Sequence, residues 1–70
     1  MIVRHLTLPG EVRALLRLDP LAGRIQCRLL DADLEATDAQ RQAVRDAALG
    51  AARRLAREHG VQPVEVEVTP

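Results

Sequence analysis

A chain of 70 residues with no Phe, Tyr or Trp is one domain, and its core must be built from Leu, Val, Ile and Ala without the large burial that aromatic side chains supply. Ten arginines are balanced by ten acidic residues, so net charge draws the protein neither to nucleic acid nor to an anionic membrane. One cysteine rules out an internal disulfide, no apolar run reaches the length of a membrane span, and the first residues lack the charged and apolar regions of a signal peptide; a cytoplasmic location is the expectation, and it suits an unpaired Cys27.

Residues 2 to 8 (IVRHLTL) are rich in leucine and β-branched side chains, and Leu8-Pro9-Gly10-Glu11 places Pro and Gly at the centre of a type II turn. A first strand ends there. From Glu11 to Leu18 the residues alternate, with Val12, Ala14, Leu16 and Leu18 on one face and Glu11, Arg13, Leu15 and Arg17 on the other. After the turn Asp19-Pro20-Leu21-Ala22-Gly23 the alternation resumes from Arg24 to Leu30, with Ile25, Cys27 and Leu29 inward and Arg24, Gln26, Arg28 and Leu30 outward. Opposed residues of this hairpin share a face. Leu16 opposite Ile25 would set Arg17 against Arg24 and Arg13 against Arg28. Leu16 opposite Cys27 instead sets Asp19 against Arg24 and Arg17 against Gln26, which cross-strand pairing favours by roughly 0.2–1 kcal/mol per pair. The second register is expected.

Asp31, Asp33 and Glu35 recur at spacing two, as at the start of an EF-hand loop, but Ala36 stands where the sharp-turn glycine belongs and Gln42 where the bidentate Glu belongs. They read as a solvated acidic connector, and no metal is expected. Thr37 followed by Gln40 has capping-box spacing, and Asp38 places an anion at the positive end of the helix that begins there. Arg53, Arg54 and Arg57 occupy the last two turns, Gly60 suits the left-handed position after the helix, and Pro63 prevents its resumption. The helix should run from about Asp38 to about His59, roughly 33 Å. Val44, Ala47, Ala48, Ala51, Ala52 and Leu55 fall within an arc of roughly 140° that faces the core. Leu49 and Ala56 lie at the edge of that arc and suggest a second contact. Val64, Val66 and Val68 then alternate with Glu65, Glu67 and Thr69 in a closing strand.

The order is β-β-β-α-β, an α+β domain spanning residues 1–70 with the helix packed on one face of a four-stranded mixed sheet. A crossover from the third strand returns the fourth parallel to the third or to the first. The spatial order 4-1-2-3 is favoured, although Arg4, an inward charge, argues for the first strand at an edge. The same element order occurs in small HicB-type antitoxin domains, but their glycine and proline signature between the second and third strands is absent here, so the likeness carries no function.

No catalytic constellation is expected. Cys27 faces inward and His5 outward, so the sheet separates them; His59 suits the helix C-terminus. There is no glycine-rich phosphate loop, serine nucleophile motif or Cys-x-x-Cys pair, and neither enzyme activity nor a cofactor is expected. Arg13, Arg17, Arg24 and Arg28 all project from the outer face of the hairpin and are the candidate contacts for an anion or a nucleic acid. Against a strand-binding role stand the absence of aromatics for base stacking and the presence of Glu11, Glu65, Glu67 and Asp19 on the same face. Leu15 and Leu30 among those arginines, and Leu49 on the helix flank, are the candidate oligomer contacts, because so thin a core is often supplemented by self-association. The leading reading is a homo-oligomeric protein-interaction or regulatory module, whose partner is itself or another protein; the alternative is a nucleic-acid-binding or antitoxin-like regulator.

Replacing Thr37 with Ala removes an acceptor from the helix N-terminus and should lower stability by about 1 kcal/mol. An unchanged denaturation midpoint for Thr37→Ala would mean that the helix begins elsewhere.

Overall fold

The computed structural model of the chain describes residues 1–31, 35–62 and 65–69. Strands β1 (Ile2–Leu8), β2 (Val12–Asp19) and β3 (Arg24–Leu29) form an antiparallel meander, helix α1 (Asp38–Glu58) follows, and β4 (Glu65–Thr69) completes a four-stranded mixed sheet. The architecture is α+β, with the helix on one face.

The strand order is β1-β2-β3-β4, with β4 parallel to β3, so the expected 4-1-2-3 arrangement is not adopted. Two charge placements account for this. Arg4 points to the helix side of β1, and from the edge it reaches Glu58 with Nη1 to Oε2 at 2.9 Å while both side chains stay about half exposed. A further strand outside β1 would wall that guanidinium in and take it out of water, which is costly for a charge. On the opposite face Glu65 pairs with Arg24 across β3 and β4, with Nε to Oε2 at 3.4 Å. Beside β1 the glutamates of β4 would have met Val3, His5 and Thr7 instead.

Turn chemistry fixes the registers. Gly10 has φ of 79°, as a type II turn requires at that position, and Glu11 follows with φ of 60°. Two successive left-handed residues delay the strand, so β2 starts at Val12 and Glu11 belongs to the turn. In the second turn the Asp19 carboxylate accepts the N–H groups of Leu21 and Ala22 at 3.2 and 3.3 Å, and the Asp19 carbonyl accepts the N–H of Gly23 at 3.0 Å. The resulting register sets Leu16 opposite Cys27, Arg17 opposite Gln26 and Asp19 opposite Arg24, the pairing that charge opposition favours. β3 ends at Leu29, one residue short of the alternation, although the Leu30 N–H still donates to the Arg13 carbonyl at 2.8 Å.

The helix has the capping box that its sequence specifies. Thr37 Oγ1 accepts the Gln40 N–H at 3.1 Å and Gln40 Oε1 accepts the Thr37 N–H at 2.8 Å. At the other end His59 is the C-cap, Gly60 has φ of 66°, and the N–H groups of Gly60 and Val61 donate to the carbonyls of Arg57 and Ala56 at 3.2 and 2.9 Å. This is a Schellman closure, and Val61 packs back onto the core beside it.

Leu16, Leu18, Ile25 and Cys27 from the sheet meet Ala48, Ala52, Leu55 and Ala56 from the helix, all of them buried. The buried helix strip is rotated from the expected arc: Ala56 is fully buried, whereas Val44, Ala47 and Ala51 are only half-buried. Ala48, Ala52 and Ala56 form one i, i+4, i+8 ridge of methyl groups. A periodicity count weighs every apolar residue alike, but a ridge of small side chains lets the helix backbone approach closest, and the helix settles along it. Enlarging the ridge should force the layers apart: Ala48→Leu and Ala52→Leu are each expected to cost about 1–3 kcal/mol, while Ala39→Leu on the exposed first turn stays within about 0.5 kcal/mol of wild type. Chemical denaturation of the three variants decides, and a neutral Ala52→Leu would refute the close approach.

Candidate functional site

Strand alternation sends Val3, His5 and Thr7 of β1, Arg13, Leu15 and Arg17 of β2, Arg24, Gln26 and Arg28 of β3, and Glu65, Glu67 and Thr69 of β4 to the face away from the helix. The registers arrange them in rows. One runs Val3, Arg17, Gln26, Glu67 and the next His5, Leu15, Arg28, Thr69. Val3 and Leu30 are each diagonal neighbours of Leu15, close enough for large side chains to touch, so an oblique apolar line crosses the arginine-bearing strands. Val3 is 52% exposed, Leu30 45%, and Leu15 is half-buried. Leu15 and Leu30 were candidates from the sequence. Val3 was missed because its place depends on the register between β1 and β2, which the sequence reading left open.

The four outer-face arginines divide into two pairs. Arg13 is held by Asp31, with Nε to Oδ2 at 2.7 Å and Nη2 to Oδ1 at 2.8 Å, and its backbone N–H also donates to Oδ2 at 3.2 Å. These hydrogen bonds stabilise the carboxylate and lower the Asp31 pKa from 3.8 to about 2; the same contact raises that of Arg13. Arg24 faces Glu65. By contrast, Arg17 donates only to the neutral sulfur of Met1 at 3.4 Å, and Arg28 has no hydrogen-bond or ion-pair partner among the described residues. Arg17 and Arg28 line a shallow depression of about 390 Å³ together with Leu15, Gln26, Glu67 and Thr69.

A second hollow, of about 860 Å³, opens beneath the N-terminal half of the helix, where Val12, Leu29, Val44 and Val68 are half-buried and Gln40, Arg41 and Arg45 form part of the rim. Leu49 is half-buried on the helix and stands apart from the apolar side chains packed on the core, whereas Ala56 is part of that core. Of the expected flank pair, Ala56 is therefore core and Leu49 alone remains partly exposed.

Cys27 is buried on the inner face, where burial pushes its thiol pKa up and disfavours the nucleophilic thiolate. His5 is exposed on the opposite face. Among the described residues no three His, Cys, Asp or Glu side chains are placed to hold a metal ion, and no helix is long and apolar enough to cross a membrane. Asp31 is occupied with Arg13, and Asp33, the second acidic residue of the connector, lies outside the described residues. No protein-family model matches the chain, nor does any curated protein or solved structure.

The Asp31 contact has a definite pH dependence. Its carboxyl titrates lower in the folded state than in the unfolded chain, so its support for the fold is complete above 3.8 and is lost as pH falls through about 2. Across that window the wild-type denaturation midpoint is expected to fall more steeply than that of Asp31→Asn. Parallel curves would mean that the ion pair does not form in solution.

Proposed function

We propose that the protein is a non-enzymatic cytoplasmic interaction module that associates with a second copy of itself through the outer face of its sheet. The observation that supports this reading is the apolar line Val3, Leu15 and Leu30, set among arginines of β2 and β3 on one side of the face and glutamates of β4 on the other. In a two-fold dimer each patch must complement itself. With the axis lying between two such faces, the acidic strand of one copy can lie across the basic strands of the other while the leucines meet near the axis. A standard interface takes roughly 800 Å² from each partner and the whole molecule exposes 4969 Å², so the contact needs the entire sheet face and not the leucines alone. The neutralisation of Arg13 and Arg24 within the chain speaks against the alternative reading, in which all four arginines track a nucleic-acid backbone.

Sedimentation velocity at high micromolar concentration tests the proposal. A dimer is expected for the wild type and for Leu49→Arg, and a monomer for Leu15→Arg/Leu30→Glu. A wild-type monomer overturns self-association, and dissociation by Leu49→Arg alone moves the interface to the helix. Salt-sensitive retention of the protein on an oligonucleotide resin would favour the nucleic-acid alternative.

A further inference from the structure

The division of the outer-face arginines leaves a local concentration of unpaired positive charge. Arg17 and Arg28 stand on adjacent strands one diagonal step apart, without a carboxylate partner among the described residues, and they open onto the same depression. Leu15 is the half-buried base between them. The Gln26 amide and the Thr69 hydroxyl also line the depression, and neither side chain makes a hydrogen bond among the described residues. Two guanidinium forks, an amide N–H donor and a hydroxyl in one concavity form a donor set suited to the oxygens of a tetrahedral anion. Arg53, Arg54 and Arg57 also lack ion-pair partners among the described residues, but they are exposed on the helix and line neither hollow; Arg45 borders the second hollow, whose lining includes no second arginine without an interaction.

We infer that the depression between Arg17 and Arg28 binds a single phosphate group, carried by a small ligand. Glu67 lines the same depression. Its negative charge opposes a second phosphate nearby, so the site fits one compact group better than a polyphosphate or a continuous nucleic-acid backbone. Size agrees, because about 390 Å³ falls at the lower end of the range of small-molecule sites.

The depression lies on the sheet face that the proposed dimer would cover, so the two readings compete for one surface. The test of phosphate binding is an NMR titration of the full chain with inorganic phosphate, and with a phosphomonoester, at constant ionic strength. Saturable shifts are expected at the side chains of Arg17, Gln26 and Arg28. Arg17→Gln and Arg28→Gln should each weaken binding about tenfold or more, the loss of one charge-assisted contact, while Glu67→Gln should tighten it. That opposite sign separates a built site from general attraction to arginine. Linear shifts, or shifts shared equally with Arg53, Arg54 and Arg57, overturn the proposal. A short oligonucleotide that binds more than tenfold tighter per phosphate, with shifts spreading to Arg13 and Arg24, also overturns it in favour of backbone recognition. Sedimentation velocity on the same samples keeps the two readings apart: saturable binding by a monomer upholds this site and ends the dimer proposal, and a dimer without phosphate shifts does the reverse.

Discussion

Close contact between an alanine ridge and a leucine-rich sheet is the interaction on which the rest of this structure depends. With no aromatic side chain anywhere in the chain, the largest fully buried side chains among the described residues are Leu16, Leu18, Ile25, Leu55 and Cys27, with Leu8 buried beside them. Each buried aliphatic side chain contributes roughly 1.5–3 kcal/mol relative to exposure, so a few of them carry a large share of a total stability that is typically about 5–15 kcal/mol. Such a core tolerates little empty space. Ala48, Ala52 and Ala56 meet that demand by bringing the helix backbone down onto the sheet, and the Schellman closure at Gly60 and the Arg4–Glu58 pair secure the same end of the helix. Toward the other end the inward residues Val12, Leu29, Val44 and Val68 remain half-buried, and the layers separate around the second hollow.

Charge placement acts at two levels in this fold. At the level of topology, inward-pointing Arg4 needs an open edge and the glutamates of β4 suit the arginines of β3, so the closing strand joins the meander on its β3 side. An inward charge on a terminal strand also discourages pairing of that edge with other chains. At the level of the surface, Asp31 and Glu65 pair with Arg13 and Arg24, and Arg17 and Arg28 are left without a carboxylate partner among the described residues. A net charge of zero therefore conceals a local separation of charge across a single sheet face.

This separation gives the outer face its character. A sheet covered on one side and wet on the other usually carries polar residues on its solvent side, and here that side is interrupted by Val3, Leu15 and Leu30. Exposed apolar residues in isolation need no explanation; three on one oblique line among unlike charges form a surface with both area and direction. On the inner face the Cys27 thiol is buried, and that burial raises its pKa and disfavours the reactive thiolate.

The capping box at Thr37 and Gln40, the left-handed glycines at Gly60 and Gly10 and the register of the central hairpin were all legible in the sequence, because each rests on neighbours a few residues apart or on two strands joined by a short turn. The outward direction of Arg13, Arg17, Arg24 and Arg28 was legible for the same reason, as it follows from alternation alone. The position of β4 was decided in three dimensions: a crossover can return to either edge, and the choice turned on Arg4 meeting Glu58, 54 residues away. Tertiary packing likewise rotated the helix toward Ala56, since side-chain size against a particular sheet outweighed an equal count of apolar positions. It also divided the arginines, because whether a guanidinium is spent or free depends on which carboxylate the fold brings beside it.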